Sequence, residues 1–426
     1  MATTATFSPL RHEIAGVDVN ELARRFGTPS YIYDAARIRE RIADLAAFDV
    51  VRYAQKACSN LAVLDLVRRS GALVDAVSAG EIRRALAAGY VAGGDPPPVV
   101  YTADIFDSET LDLVIELGIP VNCGSPDMID QLGARAPGRE ITLRINPGFG
   151  HGHSRKTNTG GPQSKHGIWH TQLADCLRRA DHHGLAVTGL HMHIGSGTDL
   201  EHLSQVCHAL ESAAAEVGRS LTAISAGGGL PTPYREGEGY VDIDAYFGLW
   251  DATRQRLQQT FGHPVRLEIE PGRYIVAESG YLITQIRAIK QMGDNTFYLL
   301  DAGFNNLARP ILYGAYHPMS LAVAAGTSAE GRAMVDVVVG GPLCESGDIF
   351  TQEEGGFVAT RRLPTAQVGE LLVIECAGAY GFAMSSNYNS KPLAAEVLID
   401  GGQPHLVRER QTFDDIIRGE RIPAAE

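Results

Sequence analysis

The 426-residue chain is poor in cysteine and has no paired cysteine motif. Its six cysteines, Cys58, Cys123, Cys176, Cys207, Cys344 and Cys376, are scattered without a C-x-x-C, which argues against a zinc ribbon and a disulfide scaffold. Long apolar runs are missing, and the opening residues MATTATFSPLRHEIAG lack the apolar core of a signal peptide. Basic residues are in deficit: 37 Lys and Arg stand against 50 Asp and Glu, a formal charge of -13. That balance disfavours nucleic acid and anionic membrane surfaces as partners. No G-x-G-x-x-G follows the first strand-like run, which lowers a doubly wound nucleotide-binding sheet to second choice. No G-x-x-x-x-G-K-[ST] occurs either, so there is no P-loop. What is present is core-forming: 44% hydrophobic and 20% charged residues, enough for two folded domains. The expectation is a reduced, cytoplasmic enzyme.

Eight short apolar or alternating runs, at 50–54, 73–77, 99–102, 120–123, 141–146, 186–194, 221–226 and 265–270, alternate with helical stretches. Ser78 and Glu81 form a capping box, Asn60 to Ser70 carries apolar residues at helical spacing, and Asp34 reads as an N-cap. Eight strands alternating with helices over about 240 residues predict an α/β fold, a (β/α)8 TIM-like barrel. After Gly280 the pattern turns to strands, at 282–289, 296–300, 333–339, 371–376 and 396–399. The expected organisation is a barrel over residues 34–278, with residues 1–33 and 279–426 forming a mostly-β domain.

Catalytic groups of such barrels gather at the C-terminal ends of the strands. The first run delivers Lys56, the sixth His191 and His193, the seventh Gly227, Gly228 and Gly229, and the eighth Glu270, Gly272 and Arg273. Glycines after strands seven and eight suit a phosphate, because bare backbone N–H groups can surround it. A lysine desolvated at a strand end becomes a nucleophilic amine. Lysine, phosphate cradle and carboxylate together point to pyridoxal 5'-phosphate, with Glu270 on the ring nitrogen. A metal site at His191 and His193, helped by His151 and His153, is the weaker rival, since spacing places no third ligand. A glycosidase using Glu268 and Glu270 is the rival from another class, but it leaves Lys56, the glycines and Arg273 unused. Residues 148–167 are glycine-rich and polar and read as a lid.

The segments YAQKACSN, DAVSAGEIRRALAAGY, INPGFGHGHSRKTNTGG, HMHIGSG, SAGGGL, EPGRY, ARPILYGAYH, GPLCESGDIF and GAYGFAMSSNYNS occur in that order. As a set they resemble the fold-type III pyridoxal-phosphate-dependent decarboxylases, nearest the bacterial branch that acts on diaminopimelate. The resemblance implies that Lys56 holds the cofactor, His193 stacks on its ring, and Ser196, the 227–229 glycines and Gly272–Arg273 lie about its phosphate. It implies that Tyr380 touches cofactor and substrate, and that Cys344 is the proton donor, reaching across a homodimer so that two chains share each active site. Arg309, Tyr313, Glu345 and Arg273 become substrate-binding residues. An arginine fork suits a distal carboxylate and a glutamate an ammonium, which fits meso-2,6-diaminopimelate, decarboxylated to L-lysine. Many relatives carry K-F-G in the lid where this chain has Lys165-His166-Gly167. A racemase or polyamine-pathway decarboxylase of the same fold, and a cofactor-less binding homologue, are the remaining alternatives.

Overall fold

The computed structural model describes residues 4–150, 159–193, 195, 200–323 and 331–424. The chain divides into two compact units. The first is built from residues 38–232 and 240–275, the second from the residues up to Arg37, 233–239 and those from Val276 onward.

In the first unit eight strands, Val50–Ala54, Leu73–Ala76, Val99–Ala103, Val121–Cys123, Glu140–Asn146, Ala186–His191, Ala223–Ser225 and Arg266–Ile269, pair in parallel, and the last returns to the first. The expected barrel is therefore closed. Its helices start where the sequence supplies oxygen acceptors. Asn60 caps Leu61–Arg69 and Ser78 caps Ala79–Ala87, each through a side-chain oxygen that accepts an otherwise unpaired N–H. Gly71 and Gly89 follow these helices with positive φ, the conformation that lets the chain turn back to the next strand.

Period-two alternation sorts the strand residues. One face packs on the helices: Tyr53, Val74, Tyr101, Val121, Leu143, Leu190, Ile224 and Leu267 are all buried, one from each strand. Register partners in a parallel pair point the same way, so Ala54 beside Asp75, Thr102 beside Asn122, Asn122 beside Thr142, and His191 beside both Arg144 and Ser225 define the lumen face. The lumen is thus polar, where such barrels are commonly filled by branched aliphatics. Low in the barrel Arg52 pairs with Glu268 at 2.5 Å, and Arg266 supports the same carboxylate. That pairing removes Glu268 from any two-carboxylate catalytic arrangement. A cavity of about 680 Å³ runs from Arg139 and Glu140 to Ser225 and Glu270.

The second unit is a mixed sheet built on the long strand Gly280–Met292. Ser30–Asp34 pairs antiparallel with it and parallel with Ala395–Asp400. Four strands of more than two residues in this unit escaped the sequence reading: Ser30–Asp34, Met319–Ala322, Arg361–Pro364 and Gln403–Arg408. Arg361–Pro364 and Gln403–Arg408 lie at the edges of the sheet and each pairs on one side only. The partners of Ser30–Asp34, Met319–Ala322 and Arg361–Pro364 lie far along the chain, which local periodicity does not register, whereas Gln403–Arg408 closes a hairpin on Ala395–Asp400 across Gly401 and Gly402. Ile14, Val17, Leu22, Ile32, Ile283, Val373, Val397 and Ile399 form an apolar cluster in this unit. Burying each such side chain contributes about 1.5–3 kcal/mol. Among the described residues no helix is long and apolar enough to cross a membrane.

Candidate active site

Lys56 lies on the single 3-10 turn Gln55–Ala57, immediately after the first barrel strand. Its side chain is exposed. The expected desolvation of this amine is not found: the turn carries it to the rim, and what surrounds it is charge. Asp75, Glu81 and His193 all feel its field.

Glu270 follows the eighth strand and is 9% exposed. Its Oε2 accepts from Nε2 of His191 at 2.7 Å and its Oε1 from the Ser225 hydroxyl at 2.9 Å. Burial alone would raise its pKa; His191 and Ser225 overrule burial and bring it down to about 2. Asp75 shows the opposite outcome. Burial and the Glu270 charge push its carboxyl up to about 8, against the pull of Lys56 and Thr102. The two buried carboxyl groups are thus driven apart, Glu270 toward its ionised form and Asp75 toward its protonated one. Oδ1 of Asp75 and Nδ1 of His191 are buried and have no hydrogen-bond partner among the described residues.

The sixth strand stops at His191, so His193 is on the loop beyond it and not, as expected, on the strand. Its Nδ1 donates to the Gly228 carbonyl at 2.9 Å. Burial, with Arg144 and Lys56 nearby, holds its pKa well below the usual histidine value, so the ring is neutral with Nε2 as acceptor. The glycine triplet has a backbone reason for its composition that precedes any ligand. A Cβ on Gly227 would lie 2.7 Å from the Met192 carbonyl, on Gly228 2.6 Å from that of Glu270, and on Gly229 2.2 Å from that of Gly195. Gly272 packs on the Ala54 carbonyl at the base of the Lys56 turn. Arg273 opens the short helix Arg273–Val276 and is partly buried.

Three residues at this rim were not singled out from sequence: Ser225, Arg144 and Asp104. Arg144 is buried, and burial lowers its pKa. The available signal was a polar residue two positions before Asn146 in an otherwise apolar run. Asp104, just past the third strand, accepts from the Gly167 N–H at 2.9 Å and meets Nδ1 of His166 at 2.8 Å. Asn146 binds both sides of the same segment, through Gly148 and Gly161. These contacts tie down the two ends of the 148–167 segment. His151, His153 and Ser196 lie outside the described residues. Among the described residues no group of three His, Cys, Asp or Glu could hold a metal ion.

The remaining predicted residues belong to the second unit. Arg309 opens the helix Arg309–Tyr313 and is buried, while Tyr313 is half-buried. Cys344 is exposed, whereas the other five cysteines are buried. Its N–H donates to Oδ1 of Asn389 at 2.8 Å. The loop that carries it and Glu345 is built on buried Asp348, whose carboxylate accepts from the N–H groups of Leu343 and Phe304. A Cβ on Gly347 would lie 2.7 Å from Cδ1 of Ile311. The 309–313 helix and the 343–348 loop are therefore neighbours. Tyr380 is half-buried and has a positive φ of 57°, a conformation that costs a non-glycine residue and clusters at functional sites.

The first-unit rim fits pyridoxal phosphate. An ionised, buried Glu270 matches a protonated ring nitrogen, Lys56 matches an aldehyde, and neutral His193 offers a flat face. Gly228 and Gly229, partly exposed and closed to side chains by their neighbours, leave room only for backbone beside a phosphate.

Residues 35–277 match the family model described as the pyridoxal binding domain of pyridoxal-dependent decarboxylases. The chain is 56% identical over 405 residues to diaminopimelate decarboxylase of Escherichia coli K12, covering 95% of this chain and 96% of that protein. A crystal structure of diaminopimelate decarboxylase superposes with a TM-score of 0.91 at 57% identity, covering 93% of this chain and 94% of that one. The Helicobacter pylori enzyme of the same name, in complex with L-lysine, gives 0.82 at 30% identity, with 94% and 98% covered. Rim chemistry, barrel and whole-length similarity agree: the chain belongs to the diaminopimelate decarboxylase family of pyridoxal-dependent decarboxylases.

Proposed function

We propose that the chain catalyses the pyridoxal-phosphate-dependent decarboxylation of meso-2,6-diaminopimelate to L-lysine and CO2. The observation that carries this reading is the ionised, buried Glu270 on the same rim as Lys56, in a barrel whose chain is 56% identical to the Escherichia coli enzyme over 95% of its length.

Bound at this rim, pyridoxal phosphate supplies an electron sink for the pair left behind by the departing carboxylate. Lys56 supplies the amine that anchors the cofactor. Glu270 keeps a proton on the ring nitrogen, and His191 and Ser225 keep Glu270 ionised while it does so. His193, held neutral by its surroundings, packs on the ring without adding positive charge. Gly227, Gly228, Gly229, Gly272, Arg273, Ser196 and Tyr380 hold the phosphate end and its surroundings. Arg309, Tyr313, Arg273, Glu345 and Tyr380 receive the substrate, arginine on carboxylate and glutamate on ammonium. Cys344 delivers the proton to Cα. Its exposure supports that role, because a thiol in the open can reach a substrate that a buried one cannot.

Residues 34–278 make up the cofactor-binding domain, with residues 1–33 and 279–426 carrying the substrate-handling and proton-donating groups. The working form is a homodimer in which Cys344 of one chain serves its partner. A cytoplasmic setting suits a thiol that must stay reduced. CO2 release by the purified protein tests the reading, with meso-2,6-diaminopimelate compared against ornithine, lysine and arginine. Turnover of the first alone is expected; failure to turn it over removes the assignment. Cys344→Ala is expected to lower kcat by about 100-fold or more while the cofactor stays bound.

A further inference from the structure

Arg309 is a buried guanidinium, and two rings fix its direction. Its guanidinium carbon lies 4.9 Å from the centre of the Tyr234 ring. Its Nη1 lies 2.8 Å from Nε2 of His317. His317 is fully buried, and its other nitrogen, Nδ1, lies 3.0 Å from the backbone carbonyl of Glu375. The Tyr234 and His317 rings meet edge to face at 5.4 Å. Both hydrogen bonds of the imidazole have a forced direction. A guanidinium can only donate, so Nε2 accepts. A carbonyl can only accept, so Nδ1 carries the proton. His317 is therefore neutral and locked in one tautomer.

The Glu375 carboxylate, one residue from Cys376, is held bidentately by Arg11 at 2.9 Å and receives the Ser320 hydroxyl. Only the backbone of Glu375 faces His317. The two groups that meet Arg309 here, an imidazole and an aromatic face, are both neutral.

We propose that His317 is a positioning residue: as a neutral, single-tautomer acceptor it orients the Arg309 guanidinium toward the carboxylate at the far end of the substrate and so sets specificity for it. The inference rests on the reading above that Arg309 receives that carboxylate. Decarboxylation at one end of diaminopimelate leaves the other carboxylate in place, so L-lysine still carries the group that Arg309 binds, and pentane-1,5-diamine does not.

Two amide substitutions separate positioning from packing. His317→Gln places an acceptor near the old Nε2 position. His317→Asn keeps a donor near Nδ1 and lacks the reach to Arg309. Losing a hydrogen bond to a charged group corresponds to about 10- to 100-fold. The Asn variant is expected to raise KM for meso-2,6-diaminopimelate by at least about tenfold with kcat changed less than about threefold. L-lysine binding, measured by calorimetry, should weaken by the same factor, and pentane-1,5-diamine inhibition should be unchanged. The Gln variant should return KM and L-lysine affinity to within about threefold of the parent. If the two variants lose L-lysine affinity equally, or lose pentane-1,5-diamine equally with it, the positioning role is overturned. A kcat loss at unchanged KM overturns it too. Thermal melting of both variants shows whether either fails to fold; should Asn do so, the Gln variant alone decides, and an L-lysine affinity more than tenfold below the parent's refutes the proposal. Parent protein that neither turns over meso-2,6-diaminopimelate nor binds L-lysine would overturn the functional reading as well, which keeps the two failures distinct.

Discussion

The barrel lumen and the core of the second unit fill similar spaces with opposite chemistry. In the second unit Ile32, Ile283, Val373 and Val397 meet in an aliphatic cluster. In the lumen Arg52, Asp75, Asn122, Arg144, His191, Ser225, Glu268 and Glu270 occupy the inward positions, all buried. The difference teaches where each unit keeps its stability. A closed barrel can hold its shape through the outward layer, from Tyr53 round to Leu267, packed on the helices. Its interior is then available for groups whose charge states matter. The second unit has no such division, and its apolar cluster is what its sheet folds around.

Substitutions can break or sharpen this contrast. The largest effect is expected at the rim: Lys56→Ala should reduce CO2 release by at least about a thousandfold, with the melting temperature of the apo-protein little changed. If the apo-protein is instead strongly destabilised, the rim is structural and the contrast fails. Next comes the lowest layer of the lumen. Arg52→Leu leaves Glu268 with Arg266 as its remaining partner in a buried setting, and should cost about 3–5 kcal/mol in denaturant unfolding. A smaller cost would mean that water or Arg266 compensates. Ile283→Ala, in the aliphatic cluster, should cost about 2–5 kcal/mol while kcat of the folded fraction stays unchanged. A fall in kcat there would show that this core is coupled to catalysis.

The smallest effect concerns pH. Asp75 holds its proton in the folded chain up to about 8, while in the unfolded chain it ionises near its ordinary value of 3.8. Between those limits the native state binds more protons, so this group makes stability fall as pH rises, by at most about 1.4 kcal/mol per pH unit. Asp75→Asn should flatten that decline, as read from urea midpoints at pH 5 and pH 7.5. Glu270 works in the opposite sense: its lowered pKa contributes stability present above 4.5 and lost as pH falls toward 2. An unchanged slope in the Asp75 variant would mean that Asp75 is ionised at neutral pH and the two carboxyl groups are not set apart.

Much of this was legible in the chain. The eight strand runs, the caps at Asp34 and Ser78, and the placing of Lys56, Glu270 and the glycines at strand ends all follow from local periodicity and from the rule that barrel sites lie at the C-terminal rim. The sequence reading erred where contacts at long range decide. Lys56 is exposed because the first strand ends at Ala54 and a tight turn follows. The triplet 227–229 is glycine because three carbonyls crowd it, before any phosphate is considered. Ser225 went unnoticed because its partner Glu270 lies 45 residues away, and His317 because its contact with Arg309 depends on how the chain turns between them.

From the order of its residues this protein has its barrel and its strand-rich second half, its family, and the amine, carboxylate and thiol of its chemistry, since these depend on local pattern and residue type. Tertiary structure alone decided their charge states and directions. His191 reaches Glu270 across 79 positions of sequence. A carboxyl group is ionised or protonated, and an imidazole takes one tautomer or the other, according to the donors and charges within a few ångströms, and folding is what brings those groups together.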